Sequence, residues 1–411
     1  MSGSIKLKHA SGNGVIISAP SSNPAADRTL TLPSDADGTI VSKDTSNNLA
    51  DVASINGSSI GTNNLIINGD MMVRQRGVTS TAQGFKTIDR FQSTYDGLDE
   101  ASTQSQVDVD SGTTPYTLGF RKAFRITNGN QTSGAAAGDY ISFYQSIESK
   151  TMWTSGWNYT SSSSYITLSF WVKSSVAQSF HGYLDVVEGT RHLYPFETGV
   201  LSANTWTKIT KVISGNSNLT FSGARTSGLN LILWPYMGTS FTDNSVSFNS
   251  WKTYSSGARF PDATTTWYTT NDATFDVTGV QLELGSTASS FVHEPEEETL
   301  LKCQRYCYAH VPTGSSLHAI MNATQYNSTT SYGYLPFPTT MRAIPTLNQN
   351  TGTGNYIAYG NNGNTSVSSI ILQNAGTNGT EIKFSSARGQ GNSVWLRAAG
   401  VNTKVIFEAE I

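Results

Sequence analysis

The run Tyr165-Ile-Thr-Leu-Ser-Phe-Trp-Val172 puts Ile166, Leu168, Phe170 and Val172 on one side of an extended chain. Thr167, Ser169, Trp171 and Lys173 fall on the other side. This alternation has the period of a half-buried antiparallel strand, and an α-helix of period 3.6 cannot present it. β-patterned runs recur at Tyr140–Tyr144, Thr207–Ile213, Leu229–Trp234 and Thr274–Leu284, rich in β-branched and aromatic residues and separated by turn formers. Many short runs of this kind predict an all-β protein with a sandwich between about Asn64 and Pro295.

The chain has 411 residues, enough for two to four domains. Only 13% of them are charged, about half the usual share, so the surface is built largely from Ser, Thr, Asn and Gln. The net charge is −3 and the 26 basic residues are scattered, which excludes nucleic acid as a partner. No apolar run is long enough to span a membrane, and the N-terminal MSGSIKLKHASGNG has no apolar core of a signal peptide. Cys303 and Cys307, four apart, are poorly placed for an internal disulfide and too few for a metal site; they read as small buried hydrophobes.

Four regions follow from pattern and composition. Residues 1–62 carry a few short β runs, at Ile5–Lys8, Val15–Ile17 and Leu30–Leu32, and end in a polar linker from 42 to 62. So few strands cannot bury a core alone and need a partner protein or further copies of the chain. Residues 63–295 form the main sandwich. Residues 296–308 read as a connecting helix, with Pro295 and three glutamates at its start, where the helix dipole favours negative charge. Residues 309–411 return to β pattern as a C-terminal domain, ending in the apolar strand Lys404–Ile411.

Three ordered motifs carry a family resemblance. The first is Asn64-Leu-Ile-Ile-Asn-Gly-Asp-Met-Met-Val-Arg-Gln-Arg-Gly77 with Thr87-Ile-Asp-Arg-Phe91. The second is Val277-Thr-Gly-Val-Gln-Leu-Glu-Leu-Gly285 with Phe291 and Glu294-Pro295, and the third is Cys303-Gln-Arg-Tyr306. Together they resemble the opening strand, closing strand and following helix of tail-fibre modules of tailed phages, and Ile5–Asn13 resembles the start of marine phage fibres. The resemblance implies a jelly roll akin to carbohydrate-binding modules, commonly in a homotrimer, attached to other virion proteins through residues 1–62. It implies a virion protein made in the host cytoplasm that recognises host-surface glycan, with the C-terminal domain as the tip. A capsid spike or decoration protein built from the same module, and a glycan-degrading tailspike, are the alternatives. Within the motifs, Asn68-Gly69 reads as a turn leading into a strand, and Gln281 and Glu283 are expected to face outward. Met71 and Met72 follow Asn-Gly-Asp, where related domains often carry an acidic residue, so no calcium is expected there; Asp70 and Asp276 are the carboxylates that keep one conceivable.

No catalytic constellation stands out, and no enzyme activity, cofactor or metal is expected. The histidines lack a metalloprotease spacing, no nucleophile-elbow motif occurs, and Glu296, Glu297 and Glu298 point in different directions from one helix start. Sugars stack their C–H faces on aromatic rings, so aromatics in irregular segments are the glycan-binding candidates: Trp153, Trp157, Trp251, Tyr254, Trp267 and Tyr268. Each can equally cap the sandwich or pack at an interface, while Trp171, Trp206 and Trp234 sit in strands and read as packing. In the tip the candidates are Tyr326, Tyr332, Tyr334 and Tyr356, with Tyr359 beside them.

Overall fold

A computed structural model describes residues 64–312, 318–360, 363–401 and 403–411, together with four short N-terminal strands. Residues 1–60 and 61–411 form two compact units. In the first, Ser4–Lys8 pairs antiparallel with Gly14–Ser18, and Ser54–Ile55 pairs with Ser58–Ser59 inside the stretch expected to be a linker. The expected run at Leu30–Leu32 lies outside the described residues.

The second unit begins with a jelly-roll sandwich of two six-stranded antiparallel sheets. One sheet runs Thr207–Ser214, Tyr165–Ser174, Thr274–Leu284, Lys122–Thr127, Thr103–Asp108 and Thr79–Ser80 in spatial order. The other runs Lys252–Thr253, His192–Val200, Ser179–Val186, Ser227–Met237, Tyr140–Glu148 and Gln92–Asp96. Ile166, Leu168, Phe170 and Val172 all point into the core between the sheets, as the alternation requires.

The motif residues explain how the sandwich closes. Leu65 N–H donates to the Leu282 carbonyl and Val280 N–H to the Gly69 carbonyl, so the segment after Asn64 lies along the closing strand. Asn64 Nδ2 donates to the Val280 carbonyl while its Oδ1 accepts from Leu282 N–H. A Cβ at Gly69 would stand 2.0 Å from the Val280 carbonyl oxygen, so only glycine fits there. Asn68 takes a left-handed backbone (φ 62°) and bonds Val73 and the Asp89 carbonyl through its amide. The stretch from Leu65 to Val73 is therefore a clamped turn, and the strand expected to follow Asn68-Gly69 does not form.

Two further expectations are corrected. Gln281 and Glu283 do point away from the core, yet both are buried. Residues 289–292 fold over them: Glu283 accepts from Ser289 N–H and Oγ, and Gln281 accepts from Val292 N–H. The connecting helix spans only Glu296–Gln304, because the chain is drawn into a strand at Cys307–Val311 that pairs with Val405–Glu408. Cys303 and Cys307 are thus on different elements, both free and buried.

The C-terminal domain stacks a three-stranded sheet (Cys307–Val311, Val405–Glu408, Thr346–Gln349) on a seven-stranded one. The larger sheet runs Gly363–Val367, Tyr356–Gly360, Ser393–Ala398, Ala319–Gln325, Thr330–Pro336, Gly379–Ser385 and Ile370–Gln373. Their shared core holds Val394, Leu396, Ile382, Phe384, Val405 and Phe407.

Candidate glycan-binding surfaces

The jelly-roll candidates divide by burial. Trp267 is 0% exposed, donates its indole N–H to the Thr274 carbonyl and packs edge-on to Phe180. Tyr268 stacks on Tyr236 and donates its hydroxyl to Asp139, also inside. Trp157 is buried against Tyr159 and Phe221. These three are core residues and cannot stack on a sugar, because the loops that carry them fold inward to cap the sandwich. Trp251 is half-buried, with its N–H donated to the Ser214 carbonyl and its ring against Tyr194. Tyr254 is half-buried under the Arg191 guanidinium, which Asp185 holds in a two-pronged pair. Trp153 alone of the six is openly exposed, on the short helix Ser149–Thr154 rather than in a loop.

Loop residues also cover the outer face of the second sheet. Tyr183, Trp234 and Phe260 are buried there, with Phe241, Phe248 and Tyr254 packed over them. Burial lowers the proton affinity of His181, which lies between Phe248 and Phe260. This face is closed. Asp276, one of the two carboxylates considered for calcium, is occupied: Arg125 meets it at 2.7 and 2.8 Å and Lys173 lies at 3.3 Å. No group of three or more metal-ligating side chains occurs among the described residues.

The outer face of the seven-stranded C-terminal sheet is different. Its strands alternate so that Val394, Leu396 and Ala398 go inward while Ser393, Trp395 and Arg397 go outward. Tyr326 (64% exposed), Tyr334 (62%), Trp395 (49%), Tyr359 and Ile371 all emerge on this face or its rim. Tyr356, a candidate from sequence, points the other way and is fully buried, bonding Gln349 and the Lys404 carbonyl.

Two clefts open on the face. One, of about 560 Å³, is lined by Tyr359, Gly360, Gly363, Asn392, Ser393 and Trp395. The Tyr359 and Trp395 rings are 6.2 Å apart and tilted 34°, with the Arg397 guanidinium 4.5 Å from the first and 5.1 Å from the second. The other cleft, of about 490 Å³, has Tyr326 and Tyr332 edge to face at 5.5 Å, with Gln373, Asn374, Glu381 and Gln390 around them. Asn374 Nδ2 donates to Glu381 at 2.9 Å, which orients the carboxylate. Aromatic faces beside amides, hydroxyls and one carboxylate suit a ligand with apolar C–H faces and a rim of hydroxyls. Trp395, Glu381, Gln373 and Asn392 were not singled out from sequence. The signal was present for Trp395, the one large ring at a polar position of the alternating run Val394–Ala398.

No protein-family model and no curated protein matches the chain. Solved structures similar to part of the chain include the enzymatically active domain of a tailspike protein from bacteriophage CBA120 (12% identity, TM-score 0.28, covering 54% of this chain and 21% of that one). The chain thus spans about a fifth of the length of that tailspike domain. A xylan-binding domain from Paenibacillus barcinonensis is similar at 10% identity and TM-score 0.26, over 56% of this chain and all of that one. An N-terminal cellulose-binding domain of a Cellulomonas fimi β-1,4-glucanase is similar at 9% identity and TM-score 0.25, over 53% and 99% of the two chains. The sandwich assignment rests on the sheets themselves.

The three sequence motifs converge on one place, where Asn64, Leu65, Arg90, Leu284 and Tyr306 line a cleft of about 570 Å³. Arg76 pairs with Asp89, Glu408 and Glu410, and Arg90 with Glu410. Gln75 Nε2 donates to the Cys307 carbonyl and to Asp89. Arg305 grips Glu148 with two bonds, at 2.8 and 2.9 Å, and the Tyr306 hydroxyl donates to the same carboxylate. These contacts run from the jelly roll to the C-terminal domain, so the motif residues build the joint between them.

Proposed function

We propose that this protein is a virion appendage, a tail fibre or receptor-binding protein, that recognises host-surface glycan through the outer face of its C-terminal seven-stranded sheet. The observation that carries the reading is the set of rings left open there: Tyr326, Tyr334, Tyr359 and Trp395 are exposed together on a sheet whose inner face is fully packed. Exposed rings in such number on one face, edged by amides and a carboxylate, are a surface made for contact. The virion assignment is supported by the fibre-module motifs, and a homotrimer by the same resemblance. Recognition without cleavage is favoured because, among the described residues, Glu381 is the one carboxylate lining either cleft, whereas glycoside hydrolysis ordinarily needs two.

An array of bacterial capsular and O-antigen polysaccharides, probed with the wild-type chain and with Tyr326→Ala/Tyr332→Ala and Trp395→Ala, tests the reading. Binding by wild type and its loss in the variants is expected, with no reducing sugar released. Equal binding by all three proteins would move the site off this face. Antibody to residues 318–411 should label the tail of the particle; label on the capsid would favour a spike or decoration protein.

A further inference from the structure

Building on the glycan reading, we propose that the two clefts form one open groove that holds an extended linear polysaccharide by an internal run of sugars, not by a chain end. The clefts abut. Thr324 lines one and Ser393 the other, and these two residues are direct partners across neighbouring strands. The turn before Ser393 serves both sides, Gln390 and Gly391 facing one cleft and Asn392 the other.

The register carries the groove across the sheet. Tyr359 pairs with Trp395, and Trp395 with Asn322; further on, Tyr334 pairs with Glu381, and Glu381 with Gln373. Side chains in one such row project to the same face. From Tyr356–Gly360 to Ile370–Gln373 the row crosses six neighbouring strands, a width of about 24 Å at the usual inter-strand spacing. A sugar in an extended chain advances by roughly one such spacing, so the groove matches about five sugars. Gly363–Val367 and Ile370–Gln373 are the two edges of the sheet, so among the described residues no further strand closes either end of the groove. A pocket for a chain end needs a wall; this groove lets the polymer enter and leave.

The chemistry divides along its length. Tyr359 and Trp395 offer stacking faces at one end, Tyr326 and Tyr332 offer them further across, and Gln373, Asn374 and Glu381 supply hydrogen bonds beside the second pair. A ligand reaching only one pair forgoes the other, so affinity should depend on length until both are covered.

The test is calorimetric titration of the full chain with size-graded fragments, from one sugar to eight, of the polysaccharide that binds on the array. Affinity rising at least tenfold between two and five sugars, then levelling, is expected. Trp395→Ala should bring the plateau to shorter fragments and lower the plateau affinity at least fivefold. A single sugar binding as tightly as five would overturn the open groove and leave the glycan reading standing. Binding by no polysaccharide, with Trp395→Ala changing the sedimentation mass instead, would mean that a second copy of the chain covers this face, and both proposals would fall.

Discussion

The Arg90 guanidinium lies over the Tyr306 ring, 3.5 Å from its centroid, joining two residues that stand 216 positions apart. Arg90 is buried in a left-handed backbone conformation (φ 72°), which turns its side chain from the sandwich towards the C-terminal domain. It bonds Glu410 of the C-terminal domain and the Ser146 carbonyl of the sandwich. The contact shows why Asp-Arg-Phe and Cys-Gln-Arg-Tyr occur in one chain: each supplies half of a joint.

Removing the carboxylate at the centre of this joint should destabilise the protein strongly. Glu148 is buried and receives Arg305 and Tyr306. Burial alone would raise its pKa, but the bonds from Arg305 and Tyr306 outweigh burial and hold it below the usual range. Glu148→Ala should cost about 3 kcal/mol, measured by urea denaturation, because a charged partner is left without its counter-ion. The stability that Glu148 contributes is present above the unfolded carboxyl pKa and is lost as pH falls through the lower folded value.

Asp89 has the opposite sign. Full burial raises its pKa to about 6 in spite of Arg76 and Gln75. Folding therefore disfavours its ionised form, by about 3 kcal/mol above pH 6, and this penalty is relieved as pH falls from 6 towards 4. Melting curves of wild type and Asp89→Asn over that range should show wild type gaining on the variant as pH drops. Parallel curves would refute the raised value.

Two glycine substitutions separate close approach from backbone strain. Gly69→Ala should abolish folding or lower the melting temperature by more than about 10 °C, since the new methyl would overlap the Val280 carbonyl. Gly112→Ala meets nothing within 4 Å and carries only the strain of its positive φ, about 1 to 2 kcal/mol.

Trp267 and Trp395 should behave as opposites. Trp267→Ala empties a core position and should cost about 3 to 5 kcal/mol. Trp395→Ala, at a half-exposed position, should stay within about 1 kcal/mol of wild type in stability while reducing glycan binding. A Trp395→Ala protein that unfolds easily would show that its ring is packing.

Both thiols should resist labelling in the native protein. Cys303 and Cys307 are buried and free, and burial pushes each thiol pKa well above its ordinary value. Labelling with a thiol reagent should be slow until denaturant is added.

The alternating runs by themselves determined the all-β class and five of the twelve sandwich strands. Thr274–Leu284 has the bounds its pattern predicts, and Ile166 to Val172 face the core as spaced. Alternation is a local property, set by the two-residue period of an extended chain, and needs no partner to be read. What lies over the outer face of a strand is not local. Gln281 and Glu283 alternate outward and are still buried, because residues 289–292 return across them. Trp267 sits in an irregular segment and is still core, while Trp395 sits in a regular strand and is open. Burial of a ring depends on chain segments distant in sequence, so only the tertiary structure could separate packing aromatics from exposed ones and gather the latter on one sheet face. The motifs were legible as words, but their meaning as a joint depended on Arg76, Arg90, Glu148 and Glu410 meeting across the sandwich and the C-terminal domain, a proximity that no spacing in the sequence encodes.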